Sequence, residues 1–235
     1  SNLSRIISIK AFENNLTATA ELTTKVIEGK SSVNVTSVVS STLTLLPKEP
    51  MMAREESNRV GYFTVSNLKY TDEQQSVERK HYVTRWRLEP SDSAAYAAGE
   101  LVEPVAPIVF YVDNTFPEFW TPYVNKGVDV WNLAFEKIGF KNAIQVRPFP
   151  TDDPSFDPDN LKYNCVRYSP SETTNSAGPH WTDPRTGEII NASVYIYHNI
   201  VKLLQEWLFV QTAAADPRVR GMKIPEELLG ECISY

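Results

Sequence analysis

Residues 107–146 carry two hydrophobic periods in succession, and few folds accommodate that order. Pro107-Ile-Val-Phe-Tyr-Val-Asp113 is a nearly unbroken apolar run rich in β-branched and aromatic residues, as in a buried strand. Asn114-Thr-Phe-Pro-Glu118 follows, with a hydroxyl at Thr115 and a carboxylate three residues on, a capping-box pattern. Thr121-Pro122 offers a second helix start. Val124, Val128, Trp131, Phe135 and Ile138 then recur at helical spacing and predict one long helix with a broad aromatic face to bury. Gly139 supplies a left-handed stop, and Phe140 can fold back on the last turn. Asn142-Ala-Ile-Gln-Val146 reads as the next strand. Strand, amphipathic helix and strand predict a parallel crossover unit.

The rest of the chain is read around that unit. Its 235 residues leave room for one large domain or two modest ones. A net charge of -6 argues against nucleic acid as partner, because a phosphate backbone wants a basic surface. No apolar run approaches the ~18 residues that a membrane span needs, and no secretion signal is visible. Cys165 and Cys232 form no metal or redox spacing and predict free, partly buried thiols. The sequons at Asn15, Asn34 and Asn191 carry no weight by themselves.

Residues 1–46 carry β pattern and almost no helical signal. Ile7, Ile9 and Ala11 alternate with polar neighbours, as do Ala18, Ala20 and Leu22. Val33–Thr36 and Thr42–Leu45 repeat the alternation, and Glu28-Gly29-Lys30 is a turn. Val60–Val65 is a further strand candidate, and Asp72–Lys80 a charged connector. His81–Leu88 predicts a half-buried antiparallel strand. Residues 89–107, with three prolines and an Ala-Ala-Tyr-Ala-Ala-Gly run, read as linker, with a boundary close by. The resulting division is 1–100, a β-rich domain with linker, and 101–235.

Beyond the central unit, 147–159 is a proline-rich acidic loop. Asp152, Asp153, Asp157 and Asp159 could bind calcium, but the loop lacks the glycine and closing glutamate of an EF-hand, and a solvated turn is the default. Asn164–Tyr168 reads as a strand, 169–178 as a polar loop and Asp183–Gly187 as a tight turn. Glu188–Tyr197 returns as a strand. Asn199 caps a helix with Ile200, Leu203, Leu204 and Trp207 on its stripe, and a nearly equally apolar outer face. A last helix opens at Pro225, with Leu228, Leu229, Cys232 and Ile233 on its buried side, and Tyr235 falls within it.

No catalytic constellation can be read from spacing. His81, His180 and His198 lie in separate segments without the i, i+4 pairing of a helical metal site. There is no nucleophile elbow, phosphate loop or dinucleotide fingerprint. Cys165 as a nucleophile needs a histidine partner that sequence cannot place, and its alternating setting favours plain burial. Composition and spacing end at a soluble α/β-type domain with a β-rich N-terminal part.

An ordered series of motifs goes further. Met51-x-x-Arg54, Arg59-Val-Gly-Tyr-Phe-Thr64, Arg85-Trp-Arg-Leu88, Pro107–Asp113, Gly127–Ala143, Asp183-Pro-Arg-Thr-Gly-Glu188 and Asp216-Pro-Arg-Val-Arg220 occur in that order. Over residues 47–235 the chain resembles bacterial zinc-dependent metallopeptidases of the Met-zincin type. The resemblance implies an α+β fold: a β-rich N-terminal domain, then the N-terminal half of a metzincin-like catalytic domain with a mixed sheet packed by long helices. It implies that Glu188–Tyr197 is the sheet edge along the substrate cleft, with Ser193, Val194, Tyr195, Ile196 and Tyr197 as substrate-binding residues. An extended peptide or protein substrate would add there as a strand, and the same open edge invites self-association. It also implies a secreted, periplasmic or cell-surface setting.

The family's zinc helix, His-Glu-x-x-His, is expected after the Asp-Pro-Arg-Val-Arg segment, and the sequence reaches Tyr235 without it. The expectation is a fragment that supplies scaffold and cleft edge to a zinc peptidase, binds no zinc itself and has no catalytic residue of its own. In that expectation Pro225–Tyr235 is the first half of the zinc helix. The rival readings are a non-catalytic surface module that binds peptide or glycan, and a purely structural domain.

Overall fold

A computed structural model describes residues 3–29, 31–73, 75–212 and 217. The chain forms two compact units, residues 1–165 with 179–193, and residues 166–178 with 194–235. The fold is β-rich with few helices, and its largest sheet is mixed.

The first unit opens with β1 (Arg5–Ala11), β2 (Asn15–Glu28) and β3 (Ser31–Thr44), an antiparallel three-stranded sheet in chain order. β2 and β3 stay in register from Asn15↔Thr44 to Glu28↔Ser31, and Gly29 turns between them at φ 62°. The alternation expected at 33–36 and 42–45 belongs to one unbroken strand. Opposed residues share a face, so Leu16, Leu22 and Val26 stand with Leu43, Val39 and Val33 on one side. The other side carries a hydroxyl ladder: Thr17 to Thr42 at 3.0 Å, Thr19 to Ser40 at 3.0 Å and Thr23 to Thr36 at 2.9 Å.

The polar side, not the apolar one, meets the rest of the unit. Asn15 is buried, its amide donates to the Asp159 carbonyl and its Oδ1 accepts the Leu161 amide. Lys10 reaches Asp157 and Asp159, each at 2.8 Å. Those two carboxylates of the acidic loop therefore serve an ion pair. Asp153 turns instead on Ser155, accepting from its amide and hydroxyl.

β4 (Thr64–Lys69) and β5 (Glu78–Val83) form a separate hairpin, so both strands are offset from the expected Val60–Val65 and His81–Leu88. Beyond Val83 the backbone changes partner: the Thr84 amide bonds to Phe63, and Arg85 pairs with residues 187–189. The expected linker is built in. Asp92 caps α1 (Ser93–Ala97) through the Ala94 and Ala95 amides, Pro90 bridges Pro104, and buried Val102 bridges Phe140.

β6 (Ile108–Val112) pairs in parallel with β7 (Ile144–Pro148), as the crossover reading requires. Ile108, Phe110 and Val112 point inward, and Trp86 meets Phe110 edge-on at 6.3 Å. On the other side of β6, Tyr111, Phe149, Phe156 and Tyr163 stack with centroids 4.8 to 5.5 Å apart, which anchors the proline-rich loop.

The single long helix between these strands is a correction. It is two short ones, α2 (Thr121–Asp129) and α3 (Asn132–Lys137). The start is the Thr121-Pro122 one, because Asp113 takes the amide and hydroxyl of Thr115. The break at Val130-Trp131 has a local cause. Asn132 donates to the Ile144 carbonyl and accepts the Ile144 amide, so it serves β7 like a strand partner. Around it the ladder tightens to i→i+3 bonds, Trp131 to Val128 and Leu133 to Val130. The expected aromatic face is split: Val124, Val128 and Phe135 are half-buried, while Trp131 and Ile138 are exposed. Gly139 does stop the second helix at φ 93°, and Phe140 is buried with Val102 and Ala143.

β8 (Asn164–Ser169), β9 (Ser176–Ala177), β10 (His180–Thr182) and β11 (Ile189–Tyr197) complete the large sheet, in the order β10-β11-β8-β6-β7 with β9 on β11. β8 and β11 run through both units. The second unit holds α4 (Ile200–Thr212), where Asn199 donates to the Glu172 carbonyl, and Leu204, Trp207 and Leu208 are exposed. The expected helix at Pro225 and the Asp216–Arg220 motif, apart from Pro217, lie outside the described residues. So does Cys232, whereas Cys165 is buried, its thiol donating to the Tyr163 carbonyl at 3.5 Å.

Candidate functional site

The turn at Asp183–Gly187 is the best-ordered polar feature of the first unit. Asp183 accepts the amides of Thr186 and Gly187 on its carbonyl and that of Arg185 on its carboxylate. Its own amide closes the turn on the Glu188 carbonyl at 2.8 Å. Gly187 takes φ 77°, open to glycine at little cost, and lies hard against the Val83 carbonyl. Its carbonyl then accepts from the Arg85 amide at 3.0 Å, and the Arg85 carbonyl accepts from Ile189 at 2.8 Å.

Two forked arginine–carboxylate pairs lock this turn. Arg87 holds Glu188 through Nε to Oε1 at 2.8 Å and Nη2 to Oε2 at 2.7 Å. Arg185 holds fully buried Asp183 through Nε to Oδ1 at 3.0 Å and Nη2 to Oδ2 at 2.6 Å. The planar guanidinium matches a carboxylate bidentately, which fixes geometry as well as charge. Spare donors grip one extended segment: Arg185 on the Pro47 carbonyl, Arg87 on that of Glu49 and Arg85 on that of Met52.

The electrostatics follow from these contacts. Hydrogen bonds from Arg185 hold the Asp183 carboxyl below the ordinary carboxylate range, against the opposing pull of burial. Bonds to Glu188 push the Arg87 guanidinium up. Burial, then the neighbouring Arg54 charge, pulls Arg85 down. A carboxylate held as an anion, as Asp183 is by Arg185, does not shuttle protons. The cluster positions backbone.

What it positions is the start of the sheet edge. β10 pairs antiparallel with β11, His180↔Ala192 and Trp181↔Asn191, with a bulge before Thr182↔Ile189. This corrects the expected edge. β11 lies inside the sheet order, between β10 and β8, and β10 is the terminal strand. Ser193 is buried and its amide bonds to the Pro179 carbonyl at 2.9 Å. In the second unit, Val194, Tyr195, Ile196 and Tyr197 are half-buried, and Tyr195 and Ile196 are paired with Ala177 and Ser176 of β9. Tyr195 also accepts from Arg167 at 3.3 Å. A peptide adding along Tyr195 and Ile196 from the β9 side would have to displace that pairing.

Asparagine side chains knit the interior of this region. Asn164 donates to the Val109 carbonyl and accepts the Ala192 amide, joining β6 to β11. Asn191, 1% exposed, donates to the Leu161 and Tyr163 carbonyls, so the sequon there is buried.

His81 lies 3.9 Å from Glu56 on β5, His180 is exposed on β10, and His198 bonds the Tyr168 hydroxyl at 2.7 Å. No three His, Cys, Asp or Glu side chains among the described residues come together as metal ligands.

Sequence reading quoted Arg85, Arg87, Asp183 and Glu188 as parts of motifs without giving them a role. The available signal was charge at strand positions: Arg-x-Arg on an otherwise half-buried strand, and Asp-x-Arg-x-x-Glu across a glycine turn.

Residues 1–91 match a family model described as a domain of unknown function (DUF5117). No curated protein and no solved structure matches the chain. The matched region takes in β1 to β5 and Arg85 and Arg87, and ends before α1.

Proposed function

We propose that this chain is the scaffold and substrate-side edge of a zinc-dependent peptide hydrolase whose metal ligands lie outside this sequence. The observation that carries the reading is the joining of two motifs of the resemblance. Arg85-Trp-Arg-Leu88 and Asp183–Glu188 are bonded through Arg87 to Glu188 and through the Arg85 backbone. Their joint product is a rigid base for a terminal antiparallel strand, the element such an enzyme needs to align an extended peptide. The substrate edge in this reading is β10, His180–Thr182, in place of β11. A secreted, periplasmic or cell-surface location belongs to the same proposal.

In this reading the zinc ligands come from the His-Glu-x-x-His helix expected after Tyr235, and no catalytic step is assigned to this chain. Zinc held elsewhere in the enzyme would polarise the scissile carbonyl and activate water. The test is genetic, then enzymatic. Coding sequence following Tyr235 is expected to run into His-Glu-x-x-His, and the longer product to cleave an unfolded protein, with activity lost on chelation and restored by zinc. A stop codon there, or a longer product inert with zinc, overturns the proposal.

A second reading has its own observation. The exposed apolar side of β1–β2–β3 favours a binding module, with peptide or glycan as ligand, over an enzyme part. Binding of either by the isolated chain, with no peptidase encoded downstream, would select it.

A further inference from the structure

The sheet of β1, β2 and β3 is turned the wrong way for a domain that ends where its described contacts end. Its polar face meets the unit at one end, through Asn15, Lys10 and the loop at 157–161, while Val38 farther along that face is 64% exposed. Its apolar face meets nothing described: Ile9 is 58% exposed, Leu22 42%, Val35 43%, Val39 38% and Leu43 74%. A sheet with one apolar face is stable when that face is covered, and a large uncovered patch marks an interaction site.

Charge identifies the partner. On the apolar face no side chain from Leu16 to Val26 on β2, or from Val33 to Leu43 on β3, is ionisable. Arg5, Lys10, Glu21 and Lys25 take the other face, and Glu28, at the hairpin end beyond Val26, has the register of the apolar one. A foreign partner is commonly recognised by complementary charge. In a two-fold symmetric contact the same patch faces itself, so a charge near the axis meets its own like, and a neutral patch is what such a contact requires.

Area agrees. β2 and β3 each span 14 residues. At ~3.4 Å per residue and ~4.8 Å between strands, with β1 along half the length, the footprint is roughly 600 Å². That approaches the ~800 Å² per partner of a standard interface once side-chain relief is added.

We propose that a second copy of this chain covers the apolar face, the two three-stranded sheets packing face to face as a β-sandwich about a two-fold axis. The contact lies wholly on β1–β3, apart from β10, so it stands independently of the hydrolase reading.

Neighbouring valines make the test. Val39 lies on the apolar face and Val38, 64% exposed, on the polar one. Sedimentation velocity of the full chain from ~1 to ~100 μM is expected to show a monomer–dimer equilibrium, in the affinity range of weak specific interfaces. Val39→Lys should weaken dimerisation at least tenfold, and Val38→Lys should leave it within twofold. Leu43→Lys, at the most exposed position of the face, guards against misfolding of Val39→Lys and should also weaken it. A wild-type chain that stays monomeric throughout overturns the proposal, pointing to a heterologous cover. Equal weakening by Val38→Lys and Val39→Lys overturns it too, because edge-to-edge pairing of β3 would be the contact.

Discussion

Gly187 is where a single atom decides the turn. Its φ of 77° is in the left-handed region, and an added Cβ would collide with the Val83 carbonyl, which cannot swing away as a side chain could. Gly187→Ala therefore combines a left-handed penalty of ~1–2 kcal/mol with a displaced strand, for an expected total of about 2–4 kcal/mol by urea denaturation. Asp183 adds a pH signature. Its folded pKa lies below the unfolded one, so its contribution is present above the unfolded value near ~3.9 and disappears as pH falls through the folded value. Asp183→Asn should cost ~1–2 kcal/mol at pH 7, discounted for the solvent exposure of Arg185, and should flatten the loss of stability as pH falls below about 4. Denaturation midpoints across that range check it; parallel pH curves for wild type and variant would show that Asp183 is not responsible.

Among the elements, Asn132 joins the break between α2 and α3 to the start of β7. Asn132→Ala removes both hydrogen bonds to Ile144 and leaves that strand's polar groups unmatched, at an expected cost of about 1–3 kcal/mol. Amide exchange at Ile144 should quicken with it, and an unchanged exchange rate would count against the assignment. This residue also shows where the sequence becomes illegible. The periodic run from Val124 to Ile138 reads as one helix because an asparagine within it looks like an ordinary polar position. Its use as a strand partner depends on a residue twelve positions later. β9 and β10, two and three residues long, are too short to carry a period, and the resemblance puts the edge on the longer strand beside them. By contrast β6, β8 and β11 are legible from their apolar runs, and β2 and β3 only in part, their alternation marking a face that the described residues leave exposed. The Gly139 stop was legible for a similar reason, since glycine marks a backbone state other residues avoid.

At the scale of the molecule, the folding unit is not the matched sequence region. Residues 1–91 match one family model, yet Pro47, Arg85 and Arg87 within it also bond to residues 185–189. The Arg87–Glu188 pair closes a separation of 101 positions. That spacing has a meaning in time. A ribosome adding ~5–20 residues per second takes on the order of 5–20 s to travel it, far longer than the microseconds in which a hairpin such as β4–β5 can form. For that interval the nascent chain holds a finished hairpin beside arginines whose anionic partners have not yet been made. The Arg87–Glu188 pair can close only once position 188 has been made, so slower synthesis through codons 90–190 lengthens that interval.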